Sequence, residues 1–147
     1  MSDAQSPIRL LAVDADDDRQ AQYRAAFAVA PGPGFTVLPA DCGGMGLPLV
    51  QTFRPDCVIV AAALPDMTGP GFIERLGRND ANPGPALVIA ATPQEEAAAL
   101  EVLGAGAEDF VVTDRLSPAQ LLRAVGRAIE IVALRRQVNE ARHAANG

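Results

Sequence analysis

The apolar residues of this chain concentrate in five short runs, each followed by a stretch that fits a helix. The runs are residues 8–13, 35–39, 57–62, 86–91 and 110–112. Continuous apolar runs of this length, bounded by Gly, Pro and Asp, are typical of strands buried on both faces of a parallel sheet. Parallel neighbours need helical crossovers, which are almost always right-handed. The pattern therefore predicts a doubly wound α/β fold whose five parallel strands follow the flavodoxin-like order 2-1-3-4-5.

Capping boxes mark the starts of the last two helices. Residues 92–95 read Thr-Pro-Gln-Glu, with Thr as N-cap, Pro at the first helical position and Glu at the third, and residues 117–120 (Ser-Pro-Ala-Gln) repeat the arrangement. Gly104 and Gly106 are predicted to end the fourth helix. Pro48 fits only the first turn of a helix, so the second helix is predicted to begin near residue 47. The first three helices are predicted at residues 19–29, 47–53 and 70–78.

The last helix is longer than a five-stranded sheet requires. Its apolar residues up to position 132 can face the sheet: Leu121, Leu122, Val125, Ala128, Ile129 and Val132. Beyond them, apolar residues alternate spacings of three and four, as in the seam of a short coiled coil: Ile131, Leu134, Val138, Ala141 and Ala145. Two interpretations remain open for residues 134–147, which follow the predicted domain 1–133. They are an amphipathic end that lies on its own domain, or a helix that dimerises or transmits a signal.

Charge and composition narrow the classes of partner. The formal net charge is −6, and all 12 basic residues are Arg. Nucleic acid is not an expected partner, because its binding needs clustered positive charge. No apolar run is long enough for a membrane span and no signal pattern precedes residue 8, so a cytoplasmic location without membrane association is expected. Cys42 and Cys57 are expected to be reduced thiols, Cys57 packed as a small hydrophobe.

The most informative motif lies in the middle of the chain. Residues 55–69 read Pro-Asp-Cys-Val-Ile-Val-Ala-Ala-Ala-Leu-Pro-Asp-Met-Thr-Gly, a buried strand that runs into a loop. This stretch resembles the centre of response-regulator receiver (CheY-like) domains, which are phosphorylated on an Asp in bacterial two-component (phosphorelay) signalling. The acids that follow the first strand and the segments 104–110 and 116–125 match the same family in order and spacing. The resemblance covers about residues 7–133 and implies the same fold.

The resemblance also implies a degenerate phosphorylation pocket. The family places two acids after strand one, the acceptor Asp after strand three, a Ser or Thr after strand four and a Lys after strand five. The corresponding residues here are Asp14, Ala15, Ala61, Ala90 and Thr113. Only the first acid is kept; the direct Mg²⁺ ligand and the acceptor are replaced by Ala. Phosphoryl transfer needs an oxygen nucleophile and cations around the phosphoryl oxygens, so loss of Mg²⁺ binding and of phosphorylation is expected, with no cofactor in their place.

Neighbouring acids do not restore the acceptor. Asp56 lies roughly 16 Å upstream along the strand, at about 3.3 Å per residue. Asp66 follows Pro65 and is expected to shape a turn. The acids 16–18 are expected to be solvated charges at a helix start; a register slip of two would instead make Asp16 and Asp17 an acid pair.

Phe110 occupies the position of the family's switch aromatic. Its simplest role is that of a core side chain. Because Ala90 lacks both the hydroxyl and the bulk that would oppose an inward ring, we predict that Phe110 stays inward as a fixed signalling face.

Three functions follow from these observations. The first is a pseudo-receiver that binds protein partners without phosphorylation, such as a histidine kinase, an output domain or a second copy of itself. The second is an orthodox response regulator with a displaced phosphoacceptor. The third is a flavodoxin-like binder of a small ligand, although no Gly-rich phosphate loop follows strand one. An enzyme is not expected, because neither a Ser/His/Asp set nor a metal-ligand set is present.

Overall fold

A computed structural model describes residues 6–79, 82–97, 99–100 and 106–146. Five parallel strands form one sheet in the order β2-β1-β3-β4-β5, which confirms the predicted fold. The strands are β1 (Ile8–Val13), β2 (Phe35–Ala40), β3 (Cys57–Ala61), β4 (Ala86–Ala91) and β5 (Asp109–Val112). The helices are α1 (Asp17–Ala28), α2 (Gly43–Thr52), α3 (Gly69–Leu76) and a C-terminal helix (Pro118–Asn146).

Helices cover both faces of the sheet, which explains why β3 and β4 are apolar and buried throughout. On one face, α1 and the C-terminal helix pack Tyr23, Phe27 and Val125 into the first hydrophobic cluster. On the other face, α3 packs Phe72 into a second cluster. Cys57 lies fully buried in the first cluster, and burial raises the pKa of its thiol, so it is the small hydrophobe that was expected.

Helix α2 begins at Gly43, four residues before the predicted start, and contains Pro48 within it. The prediction was wrong because a distant side chain caps the helix. The carboxylate of Asp66 accepts hydrogen bonds from the backbone N–H groups of Gly43 (2.9 Å) and Gly44 (2.8 Å). These hydrogen bonds lower the pKa of the Asp66 carboxyl, and the bond from Gly44 has the largest effect. Asp66 therefore caps a helix across the fold, and Gly46 lets that helix approach the sheet: an added Cβ would lie 2.9 Å from a methyl of Val13.

Both predicted capping boxes are present. At the C-terminal helix, Ser117 N donates to Gln120 Oε1 and Gln120 N donates to Ser117 Oγ, both at 3.2 Å. This start is confirmed. After β4, Thr92 N donates to Glu95 Oε1 at 2.9 Å, but the turn Pro93–Glu95 is 3₁₀ helix, with helical residues 96–97 and 99–100 beyond it. The predicted helix end at Gly104 lies outside the described residues.

The C-terminal helix is anchored to its own domain beyond Val132. Arg135 donates to the carboxylate of Glu108 at 2.6 Å, and Arg136 donates to the carbonyl oxygen of Gly84 at 3.0 Å. Leu134 and Val138 face away, 53% and 51% exposed. These contacts support the first of the two open interpretations as far as Arg136, while Leu134 and Val138 of the predicted seam remain exposed and the choice between the two stays a prediction. Among the described residues, no helix combines the length and apolarity that crossing a membrane requires.

Candidate functional site

The strand register aligns three of the predicted pocket positions at the carboxyl edge of the sheet. Val13 pairs with Val60, so Asp14 follows β1 at the level where Ala61 ends β3. Ala61 in turn pairs with Ala90 of β4. The two alanines are each only 2% exposed, so the floor beside Asp14 consists of buried methyl groups. Neither of these two side chains carries an oxygen atom.

The loop after Ala61 returns tightly over the end of β3. Gly69 N donates to Ala62 O at 2.8 Å, and Ala62 N donates to Ala90 O at 2.9 Å. A Cβ at position 69 would lie 2.6 Å from Ala61 O, so only glycine fits without a backbone shift. Thr68 caps α3, its hydroxyl oxygen accepting from Gly71 N at 3.0 Å. The residues around position 61 are therefore held rigidly.

The carboxylate of Asp14 is fully buried and already bonded on both oxygens. Oδ2 accepts from Arg19 Nε (2.7 Å) and from the hydroxyl of Tyr23 (2.8 Å). Oδ1 accepts from Arg19 Nη2 (2.9 Å) and from Asp16 N (3.0 Å). The arginine contact is bidentate, the geometry that gives charge-assisted pairs their strength and directionality. The acid is therefore fully occupied by side chains and backbone of its own domain.

The contacts with Asp14 also shift the pKa values of the two side chains that donate to it, Arg19 and Tyr23. The hydrogen bond to Asp14 raises the pKa of the Arg19 guanidinium. Burial, and then the negative charge of Asp14, raise the pKa of Tyr23. Both side chains therefore keep their protons at neutral pH and serve as hydrogen-bond donors to Asp14.

Arg19 and Tyr23 were missed by the sequence analysis. They are four residues apart on α1 and so share one helix face, at the start of which Asp16 serves as N-cap. Gln20 lies beside them, 5% exposed, and its Nε2 donates to Ala12 O and Asp14 O, both at 2.9 Å. The signal that could have found this cluster was the set of polar residues on the helix face that had to pack on the sheet.

Comparison with known proteins assigns the chain to a family. The family model for the response regulator receiver domain matches residues 10–126. The chain is a response regulator receiver domain. It is 32% identical over 95 residues to KdpE, the KDP operon transcriptional regulatory protein of Escherichia coli (strain K12). That match spans 65% of this chain and 41% of KdpE, so it covers less than half of the curated relative.

Solved structures show the same fold. A response regulator receiver domain protein from Clostridium thermocellum has a TM-score of 0.74 at 19% identity, covering 86% of this chain and 98% of that one. The chemotaxis response regulator CheY4 of Vibrio cholerae has a TM-score of 0.72 at 23% identity, covering 84% and 99%. Receiver domains are generally signalling modules rather than enzymes, and they interact with histidine kinases and output domains.

The other predicted site residues of this receiver domain lie around the same edge. Ala15 is exposed beside Asp14, and Thr113 is partly exposed at the start of a 3₁₀ turn. Phe110 pairs with Ile89 and packs, partly buried, against the second cluster. That its ring never leaves this position stays a prediction.

The neighbouring acids of the receiver domain, Asp16, Asp56 and Asp66, accept hydrogen bonds from backbone N–H groups. Asp56 accepts from Arg9 N at 2.8 Å, at the opposite end of the strands. The N-cap Asp16 accepts from Arg19 N at 3.0 Å, which lowers the pKa of its carboxyl, and Asp66 caps α2. β1 ends at Val13, so the register slip that would make Asp16 and Asp17 the acid pair does not occur.

The magnesium ion implied by the receiver family does not fit these residues. Mg²⁺ requires several oxygen ligands in near-octahedral geometry. The acid retained at the cleft, Asp14, already accepts four hydrogen bonds, and Ala15 stands beside it. Across the part of the chain that the structure describes, no group of three or more His, Cys, Asp or Glu is arranged to hold a metal.

Proposed function

We propose that this receiver domain acts in the cytoplasm as a pseudo-receiver, a protein-interaction module of two-component signalling that works without phosphorylation. The observation that carries the proposal is the pairing of Ala61 with Ala90 beside an occupied Asp14. Aspartyl phosphorylation needs a carboxylate in line with the donor and a cation on the phosphoryl oxygens. Methyl groups supply neither. A signal would then reach this domain through binding partners.

Incubation with acetyl phosphate and Mg²⁺ followed by intact-mass spectrometry tests this proposal. We expect the mass of the full chain to stay unchanged, because no carboxylate stands at position 61 and the chain has no Lys at position 113. An orthodox receiver domain treated in parallel controls for the reagent. A stoichiometric single-phosphate adduct on any Asp of the folded chain would favour the orthodox alternative with a displaced acceptor.

A candidate docking surface lies along the edge of the sheet. A groove of about 290 Å³ runs between β5 and the C-terminal helix. It combines Phe110 and Val112 with two arginines of the helix, Arg123 and Arg127, and one acid, Asp109. The side chain of Arg127 is 67% exposed and lies 4.0 Å from Asp109. This excess of positive charge on an otherwise acidic chain favours a partner segment that carries carboxylates.

We propose a second interface on the segment 134–147, where the predicted seam would pair with that of a second copy. Support comes from the heptad spacing and from the exposure of Leu134 and Val138. In a parallel pair, Arg135, which also binds Glu108 of its own domain, would lie near Glu130 of the other copy, whereas an antiparallel pair would bring Arg135 opposite Arg142. Charge therefore favours the parallel arrangement.

Light scattering coupled to gel filtration at increasing protein concentration tests the seam. We expect concentration-dependent dimers that Leu134→Asp abolishes, because a buried, unpaired carboxylate at the seam opposes association. Val29→Asp is the matched control: Val29 is 73% exposed, lies outside the seam and should leave the dimer intact. A strictly monomeric full chain, or equal effects of the two substitutions, would contradict the seam.

A further inference from the structure

We infer that Arg19 is a built-in cation that takes the place of the divalent ion at the carboxyl end of β1. The retained acid of the pocket, Asp14, would then serve as the receptor for a guanidinium of its own domain. Nothing in the receiver resemblance assigns a role to Arg19. The inference concerns cation binding alone and stands whether or not the domain docks partners as proposed.

The geometry of the pair supports this role. Arg19 contacts both carboxylate oxygens of Asp14 through Nε (2.7 Å) and Nη2 (2.9 Å). The carboxylate is fully buried, and the arginine side chain is 25% exposed. A buried carboxylate without a partner is strongly unfavourable, so some cation or proton must accompany Asp14. The arginine supplies that charge permanently.

The remaining contacts close the site to other cations. Tyr23 and the N–H of Asp16 use the acceptor sites that the arginine leaves on Asp14. An incoming metal ion would have to displace a bidentate guanidinium and two further donors. It would gain no ligand from position 15, since Ala15 offers no oxygen in its side chain. Mg²⁺, which sheds its water reluctantly, is poorly suited to such an exchange.

The position of Arg19 in α1 explains how the arginine is held. Asp16 caps the helix by accepting from the backbone N–H of Arg19 at 3.0 Å, and its carboxylate lies 3.4 Å from Arg19 Nη1. The backbone of Arg19 is therefore fixed in the first turn of the helix, while its side chain turns back to the end of β1. The same cap that begins α1 thus places the cation.

Restoring the missing acid distinguishes a built-in cation from a salt bridge that merely fastens α1. The variants are Ala15→Asp, Ala15→Asp/Arg19→Met and, as a matched control, Ala15→Asp/Arg24→Met, since Arg24 is exposed on the same helix. Mn²⁺ binding is followed by electron paramagnetic resonance on the full chain. We expect Ala15→Asp and the Arg24 control to bind Mn²⁺ weakly. Removal of Arg19 should tighten binding at least about tenfold, because it frees Asp14.

One result would overturn the inference: Ala15→Asp and Ala15→Asp/Arg19→Met binding Mn²⁺ with equal affinity, whether tightly or weakly. Melting temperature supplies a second readout, because a ligand that binds only the folded state raises it. Mn²⁺ should raise the melting temperature of Ala15→Asp/Arg19→Met more than that of Ala15→Asp. If the double variant needs metal to fold, recovery of its helical circular dichroism on adding Mn²⁺ supports the inference, and failure to recover opposes it.

Discussion

The substitution Asp14→Asn is expected to lower the free energy of unfolding by about 3 kcal/mol. An amide is close in size to the carboxylate but carries no charge and only one acceptor oxygen. Arg19 would lose its buried bidentate partner and keep only the carboxylate of Asp16, 3.4 Å away, and Tyr23 would lose, or share, a buried acceptor. Breaking a buried ion pair on one side costs about 3–5 kcal/mol, and the lower end applies because the Arg19 side chain is a quarter exposed.

Urea unfolding followed by circular dichroism measures this loss. Asp18→Asn provides the control: it removes the same charge from the same helix start, but at an exposed position, and should change stability by less than about 0.5 kcal/mol. Combining Asp14→Asn with Arg19→Met should cost less than the sum of the two single changes, because they remove one shared interaction. Equal effects of Asp14→Asn and Asp18→Asn would show that the buried network contributes little.

The substitution Glu108→Gln is expected to destabilise the fold by roughly 2–3 kcal/mol and to loosen the end of the C-terminal helix. The carboxylate of Glu108, whose side chain is 1% exposed, binds Arg78 at 3.0 Å, Arg135 at 2.6 Å and the N–H of Leu87 at 2.7 Å. A neutral amide cannot accept from all three donors. The guanidinium of Arg78, 12% exposed, would keep only the carbonyl oxygens of neighbouring backbone as acceptors.

Two measurements distinguish the loss of global stability from the release of the C-terminal helix end in Glu108→Gln. Urea unfolding reports the global loss, and limited trypsin digestion at Arg135 and Arg136 reports release of the helix end, which should become several-fold faster. Glu130→Gln is the matched control, since Glu130 is exposed on the same helix. If digestion at Arg135 is unchanged in Glu108→Gln while global stability falls, the anchor does not hold the extension.

The sequence alone indicated where the candidate site lies, but it did not identify all of the residues that form it. The receiver resemblance assigned Ala61 to the acceptor position near the end of β3, and the strand register pairs Ala61 with Ala90. The resemblance also assigned Asp14 to the first of the two acids that follow β1. It did not find Arg19 or Tyr23, because a polar residue on α1 has no assigned partner until the helix is packed against the sheet.

The start of α2 was also not predictable from the local sequence. Local rules placed its start after the flexible glycines, since Pro48 is disfavoured inside a helix. In the structure, α2 begins at Gly43 because the carboxylate of Asp66, which lies in the loop after β3, accepts from the first two backbone N–H groups of the helix. A hydrogen bond between residues more than twenty positions apart outweighed a local preference.

The order of the apolar runs, the capping box of the C-terminal helix and the presence of Ala at positions 61 and 90 could be predicted or read from the sequence itself, because an apolar run and a local cap involve residues that are neighbours along the chain. Only the tertiary structure decided which charged side chains contact each other. Asp14 binds Arg19 and Tyr23, and Glu108 binds Arg78 and Arg135, because the packed sheet brings α1 and the C-terminal helix to its strand ends. Long side chains can reach several partners, and only the folded geometry selects among them.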